Sequence, residues 1–160
     1  MSLRILVVED YEPCLHSICS TLERRPDFCV VGKAVDGLQA VESAQLGQPD
    51  LILLDIGLPK LNGLQAAKRI RKLVPNAKIL FLSAECSEDV VRACLDLGAL
   101  GYIHKPEFHN ELLPAIDAIC EGKRFVSNNW GGGSLLVKRD PLQAGMIELA
   151  RAGVRREFSP

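Results

Sequence analysis

Complementary chemical groups stand directly behind four different apolar runs of this 160-residue chain. Glu9 and Asp10 follow Ile5-Leu6-Val7-Val8, Asp55 follows Leu51-Ile52-Leu53-Leu54, Ser83 follows Phe81-Leu82, and Lys105 comes just after Gly101-Tyr102-Ile103. Carboxylates gathered in one place repel and raise one another's pKa unless a cation joins them. Mg²⁺ suits such a setting, because it takes a few carboxylates, phosphate oxygens and waters rather than a full protein cage. The chemistry that follows is phosphoryl transfer, with an aspartate as nucleophile and with a metal and a lysine offsetting charge on the transferred group. Each residue alone is a weak signal, since acidic strand ends and Lys-Pro pairs are common. Their order and spacing carry the argument.

The apolar runs alternate with longer segments of helical period, the pattern of repeated β-α units around a parallel sheet. Five strands are expected, at Leu3–Val8, Phe28–Val31, Leu51–Leu54, Lys78–Leu82 and Gly101–Ile103. Continuous hydrophobicity in the first, third and fourth predicts strands covered on both faces. Leu15, Ile18, Cys19 and Leu22 line a first helix with Pro13 in its opening turn, and Asp36-Gly37 makes the turn before a second around Leu38 to Leu46. Leu64, Ala67, Ile70 and Val74 mark a third. Val90, Val91, Cys94 and Leu95 mark a fourth, opened by Ser87 and closed by Gly98. Leu112, Leu113, Ile116 and Ile119 mark a fifth that ends near Gly122. In an open parallel sheet, function collects at the carboxyl ends of the strands, where these five residues fall.

Composition narrows the classes further. Nineteen basic against 20 acidic residues give a net charge of −1, which creates no global field toward nucleic acid or an anionic membrane. The N-terminal apolar run is too short for a signal peptide or a membrane span, so a cytoplasmic protein is expected. The six cysteines form no Cys-x-x-Cys pair and have no histidine at metal spacing, so buried thiols are expected. His16, His104 and His109 share no ligand spacing and read as surface or packing residues. After Trp130, which should cover the domain end, Gly131-Gly132-Gly133-Ser134 marks a linker. The expected division is one domain over 1–128 and a linker with a short tail over 129–160, with a helix around Leu142 to Ala152 and no complete effector domain.

Residues 3 to about 128 resemble the receiver domain of bacterial response regulators in two-component signal transduction. The resemblance rests on Ile5-Leu6-Val7-Val8-Glu9-Asp10, Leu53-Leu54-Asp55-Ile56-Gly57-Leu58-Pro59 with Asn62-Gly63, Leu82-Ser83-Ala84, and Gly101-Tyr102-Ile103-His104-Lys105-Pro106. It implies an α/β, flavodoxin-like, doubly wound five-stranded parallel sheet of order 2-1-3-4-5 with five helices. It implies Asp55 as phosphoacceptor, Asp10 as a direct Mg²⁺ ligand, Glu9 as a metal partner through water, and the Gly57 carbonyl as the remaining protein ligand. Lys105 would pair with the phosphoryl group and Ser83 would hydrogen-bond it. Tyr102 would be the aromatic switch that answers Ser83, and Pro106 would follow Lys105 through a cis peptide. Gly57 and Glu85 occupy places that tune the lifetime of the phosphoryl group in this family.

The partners so implied are a sensor histidine kinase and either an output protein or a second copy, met through the fourth and fifth helices. Such a protein is a signalling switch with its own phosphorylation and dephosphorylation chemistry rather than a metabolic enzyme. Phe28 to Ala34 and Gly122-Lys123-Arg124-Phe125 look most like receivers of helix-turn-helix transcription regulators. The 26 residues after the glycine run are too few for a compact DNA reader, so DNA binding by this chain alone is not expected. Two alternatives stand beside the free-standing switch: the receiver part of a DNA-binding regulator, and a pseudo-receiver that takes no phosphate. The second is disfavoured because every acidic, hydroxyl and lysine position is filled.

Overall fold

The computed structural model describes residues 1–85, 87–127, 135–138 and 150–151. The chain runs β1 (Leu3–Val8), α1 (Glu12–Leu22), β2 (Phe28–Ala34), α2 (Gly37–Gly47), β3 (Leu51–Asp55), α3 (Gly63–Leu73), β4 (Lys78–Ser83), α4 (Glu88–Asp96) and β5 (Gly101–His104). A 3₁₀ turn at Lys105–Glu107 then leads into α5 (Phe108–Cys120), β6 (Lys123–Val126), β7 (Leu135–Lys138) and β8 (Ala150–Arg151).

Every residue of β3 is buried, and strand neighbours point to opposite faces, so the sheet feeds two cores. Leu6, Val8, Ile52, Leu54 and Phe81 join residues of α2, α3 and α4 on one face. Ile5, Val7, Leu51, Leu53 and Leu80 join residues of α1 and α5 on the other. The continuous apolar runs are thus the signature of strands sandwiched between two helical layers.

Strand order is β2-β1-β3-β4-β5-β6-β7-β8. The first five follow the expected 2-1-3-4-5 arrangement and are parallel. The sheet continues with a sixth parallel strand, Lys123–Val126, which the sequence reading did not include. Its two basic residues and length of four residues hide it from an apolar-run search, and it gains its place through Gly101↔Phe125 and Tyr102↔Val126 pairing at the free edge of β5. β7 and β8 extend the same sheet antiparallel. The helix expected around Leu142 to Ala152 falls outside the described residues except at Ala150–Arg151, which form a strand. Trp130, the glycine linker at 131–134 and Cys86 also lie outside the described residues.

Local chemistry sets the helix starts. Asp36 caps α2 by accepting the Gln39 N–H at 2.8 Å, Asn62 and Gln65 form a reciprocal capping box on α3, and Ser87 caps α4. α4 closes through Gly98 at φ +85°, the left-handed conformation that glycine takes without strain. Gly63 serves a different need. Its N–H donates to the Ile56 carbonyl at 2.8 Å, and a Cβ there would lie 2.1 Å from the Asp55 carbonyl oxygen. The start of α3 is therefore pressed directly against the end of β3, which holds Asp55 in place.

Candidate phosphoryl-transfer site

β1 and β3 are neighbours although β2 lies between them in the sequence, so the chain reverses direction in the sheet at that point. Crevices outside the strand carboxyl ends at such a reversal are the usual ligand sites of open α/β sheets. Glu9 immediately follows β1, and Asp55 is the last residue of β3. Glu9 and Asp55 are buried while Asp10 is exposed, and oxygens of the three carboxylates lie within 4.8 Å of one another. Lys105 arrives from the end of β5 and places Nζ 2.5 Å from Glu9 Oε1 and 3.1 Å from Asp55 Oδ2. The five strand-end residues singled out by sequence do meet at one edge, with Ser83 as the last residue of β4.

Electrostatics follows from crowding. Burial pushes Asp55 upward, the hydrogen bond to Glu9 and its charge add to this, and Lys105 only partly opposes, leaving the group at about 6. Burial also pushes Glu9 upward, but hydrogen bonds from Asp55, Cys14 and Lys105 outweigh it and hold Glu9 below its ordinary value. Of the two adjacent carboxylates Asp55 is thus the one that takes up a proton first as pH falls, at about 6. Burial would depress Lys105, yet Glu9 and Asp55 raise it, so it is a firm cation.

This arrangement has a measurable consequence in metal-free protein. Asp55, raised from 3.8 to about 6, contributes stability that is fully present below 3.8 and lost as pH rises through about 6. Glu9 has the opposite sign, its contribution being present above its ordinary 4.5 and lost as pH falls. Between about pH 5 and 7 the Asp55 contribution falls by about 1 kcal/mol. Urea denaturation should therefore show the parent losing stability relative to Asp55→Asn across that window; parallel pH curves for the two proteins would contradict the assigned proton.

An all-oxygen set of three carboxylates facing a single ammonium is a hard-cation site short of positive charge, and it fits Mg²⁺. Gly57 follows Asp55 in the loop, donates its N–H to Asp55 Oδ1 at 3.3 Å, and has open space where a side chain would stand. The Ser83 hydroxyl accepts the Glu85 N–H at 3.1 Å, within its own loop. Tyr102 is buried with its ring turned inward, and its hydroxyl donates to the Glu85 carbonyl.

One expectation is corrected. No peptide bond among the described residues is cis, so Lys105–Pro106 is trans. Pro106 is the second residue of the 3₁₀ turn that Lys105 opens after extended His104, and its ring presets the φ that such a turn needs.

The sequence reading also missed a neighbour of the site. Cys14, taken only as a small hydrophobe of α1, is electrostatically coupled to Glu9. Burial first, and then Glu9, push its thiol up to about 12, so it stays protonated and is not a nucleophile. Only a preceding expectation that Glu9 lies beside the first turn of α1 could have signalled it.

Comparison with known proteins agrees with this geometry. Residues 5–117 match the response regulator receiver domain family. The transcriptional regulatory protein DegU of Brevibacillus brevis is 32% identical over 124 residues, which cover 78% of this chain and 52% of DegU. PdtaR of Mycobacterium tuberculosis, also a transcriptional regulatory protein, is 35% identical over 126 residues, 78% of this chain and 60% of PdtaR. The chain thus spans between half and two thirds of the length of the curated relatives it matches. Among solved structures, the response regulator domain of Thermotoga maritima CheB superposes with a TM-score of 0.70 at 32% identity, covering 76% of this chain and 96% of that domain. A LuxR-family two-component response regulator from Aurantimonas gives a TM-score of 0.75 at 29% identity, covering 81% of this chain and 91% of that one. With the doubly wound sheet and the acidic cluster at its reversal point, these matches show that the chain belongs to the response regulator receiver domain family.

Proposed function

We propose that the chain is a phosphoacceptor switch in which Asp55 takes a phosphoryl group with the help of Mg²⁺. The observation that carries this reading is the Lys105 ammonium set between buried Glu9 and Asp55 at the sheet's reversal point. Glu9, Asp10, Asp55 and the Gly57 carbonyl would hold Mg²⁺, which when bound neutralises carboxylate charge and polarises the phosphoryl oxygens. The Asp55 carboxylate oxygen attacks phosphorus, while the bond to the donor's leaving group breaks. Lys105 follows the charge from Glu9 and Asp55 to the incoming phosphoryl oxygens. Ser83 moves to donate its hydroxyl to one of those oxygens, loosening the Glu85 N–H bond it accepts at rest, and Tyr102, bonded to the same residue, senses the change. Hydrolysis of the acyl phosphate resets the switch.

In this reading the physiological donor is a sensor histidine kinase, and the output passes through α4 and α5 to a partner protein or a second copy. No helix among the described residues is long and apolar enough to cross a membrane, which accords with a cytoplasmic switch. The chain acts on itself and is not a metabolic enzyme. A second reading, the receiver portion of a DNA-binding transcription regulator, draws support from the greater length and the names of DegU and PdtaR. A reading frame continuing past Pro160 into a helical effector would select it.

Intact-mass measurement after incubation with acetyl phosphate tests the function directly. One added phosphoryl group, dependent on Mg²⁺, is the expected result. No gain at any donor or metal concentration would favour a receiver that binds partners without being phosphorylated.

A further inference from the structure

β5 grips the loop after Ser83 at two consecutive carbonyls. Register pairs Phe81 with Tyr102 and Ser83 with His104, and residues two apart on a strand share a face. Tyr102 donates its hydroxyl to the Glu85 carbonyl, while His104 Nε2 lies 3.0 Å from the Ala84 carbonyl oxygen. A carbonyl only accepts, so Nε2 carries the proton in this contact. Nδ1 is buried with no hydrogen-bond partner among the described residues, so the ring is anchored through Nε2 alone. The backbone beneath it is firmly held. The His104 N–H donates to Ser127 Oγ at 2.9 Å, and that fully buried hydroxyl donates to Glu111 Oε1 of α5 at 2.8 Å. A fixed base thus carries a ring that reaches onto the loop next to Ser83.

We propose that His104 is a positioning residue of the phosphorylation switch: its Nε2–H on the Ala84 carbonyl holds the loop in the arrangement in which the Ser83 hydroxyl is engaged by the Glu85 N–H. Ser83 then reaches a phosphoryl group on Asp55 only as the His104 hydrogen bond lengthens or breaks. The inference rests on Asp55 being the phosphoacceptor. His104 touches no reacting atom; it acts through Ala84 on Ser83.

Removing one hydrogen bond from the resting arrangement shifts a two-state loop by about fivefold. The full chain, His104→Phe and His104→Gln are titrated with fluoroberyllate in the presence of Mg²⁺, and exchange of the Glu85 amide is followed by NMR without ligand. Phenylalanine keeps the ring and loses the donor, whereas the glutamine amide nitrogen can restore it. His104→Phe should reach half-saturation at about one fifth of the parent concentration and exchange the Glu85 amide about fivefold faster. His104→Gln should behave as the parent does. A merely structural histidine would not be rescued by glutamine. Unchanged or weaker fluoroberyllate binding by His104→Phe, or glutamine as altered as phenylalanine, overturns the proposal. If the parent binds no fluoroberyllate, the phosphoacceptor reading fails separately, and amide exchange alone decides whether His104 holds the loop. His104→Leu takes the same place in the comparison should the phenylalanine variant not fold.

Discussion

Asp55→Asn should gain no phosphoryl group from acetyl phosphate under conditions in which the parent gains one. Asparagine keeps the size and the hydrogen-bond acceptor toward the Gly57 N–H, yet its amide has no carboxylate oxygen to attack phosphorus. The loss cannot be put down to unfolding, because Asp55 sits buried beside Glu9 in mutual repulsion. Replacing it with a neutral group should leave metal-free stability at pH 7 equal to or greater than that of the parent. The same variant should bind Mg²⁺ more weakly, since one of three clustered carboxylates is gone. Stable phosphate incorporation by Asp55→Asn at another residue would move the acceptor elsewhere.

The second large effect falls on Lys105→Met. The substitution keeps the aliphatic stem but removes the ammonium that stands 2.5 Å from Glu9 and 3.1 Å from Asp55. Breaking a buried pair by deleting one partner leaves the other charge uncompensated, at a cost of about 3 kcal/mol. Protonation of Asp55 relieves part of this at low pH, so the loss should be larger at pH 8 than at pH 5.5. Mg²⁺ supplies the missing positive charge, and millimolar Mg²⁺ should recover most of the stability by binding the folded state alone. Phosphoryl transfer should not recover with it. The charge formerly aimed at the transferred group is absent, and the rate should stay about 100-fold below that of the parent in saturating Mg²⁺. Thermal denaturation and phosphorylation kinetics with and without Mg²⁺ separate the two roles. Full recovery of the rate by metal would reduce Lys105 to a structural counter-ion.

Sequence alone determined the residue types at the strand ends and the order in which they come. Four apolar runs end in Glu9-Asp10, Asp55, Ser83 and Lys105, and continuous hydrophobicity with a helical period after each of the five runs implies a parallel sheet that must bring those ends to one edge. The Ser87 cap was legible too, because a cap is a contact between residues three apart, whereas Asp36, read only as a turn, proves to cap α2 in the same way. Tertiary structure decided whatever depends on neighbours distant in sequence. Lys123–Val126 becomes a strand because β5 offers an unpaired edge, and the Lys105–Pro106 bond is trans, inside a 3₁₀ turn. His104 meets Ala84 across a gap that no local period encodes. The weakened acidity of Asp55 belongs to the same class. Its pKa of about 6 arises from burial and from Glu9, 46 positions away in the chain, against Lys105 arriving from another strand. Types and spacing are local properties of a chain, whereas desolvation and charge coupling exist only once the chain has closed around the site.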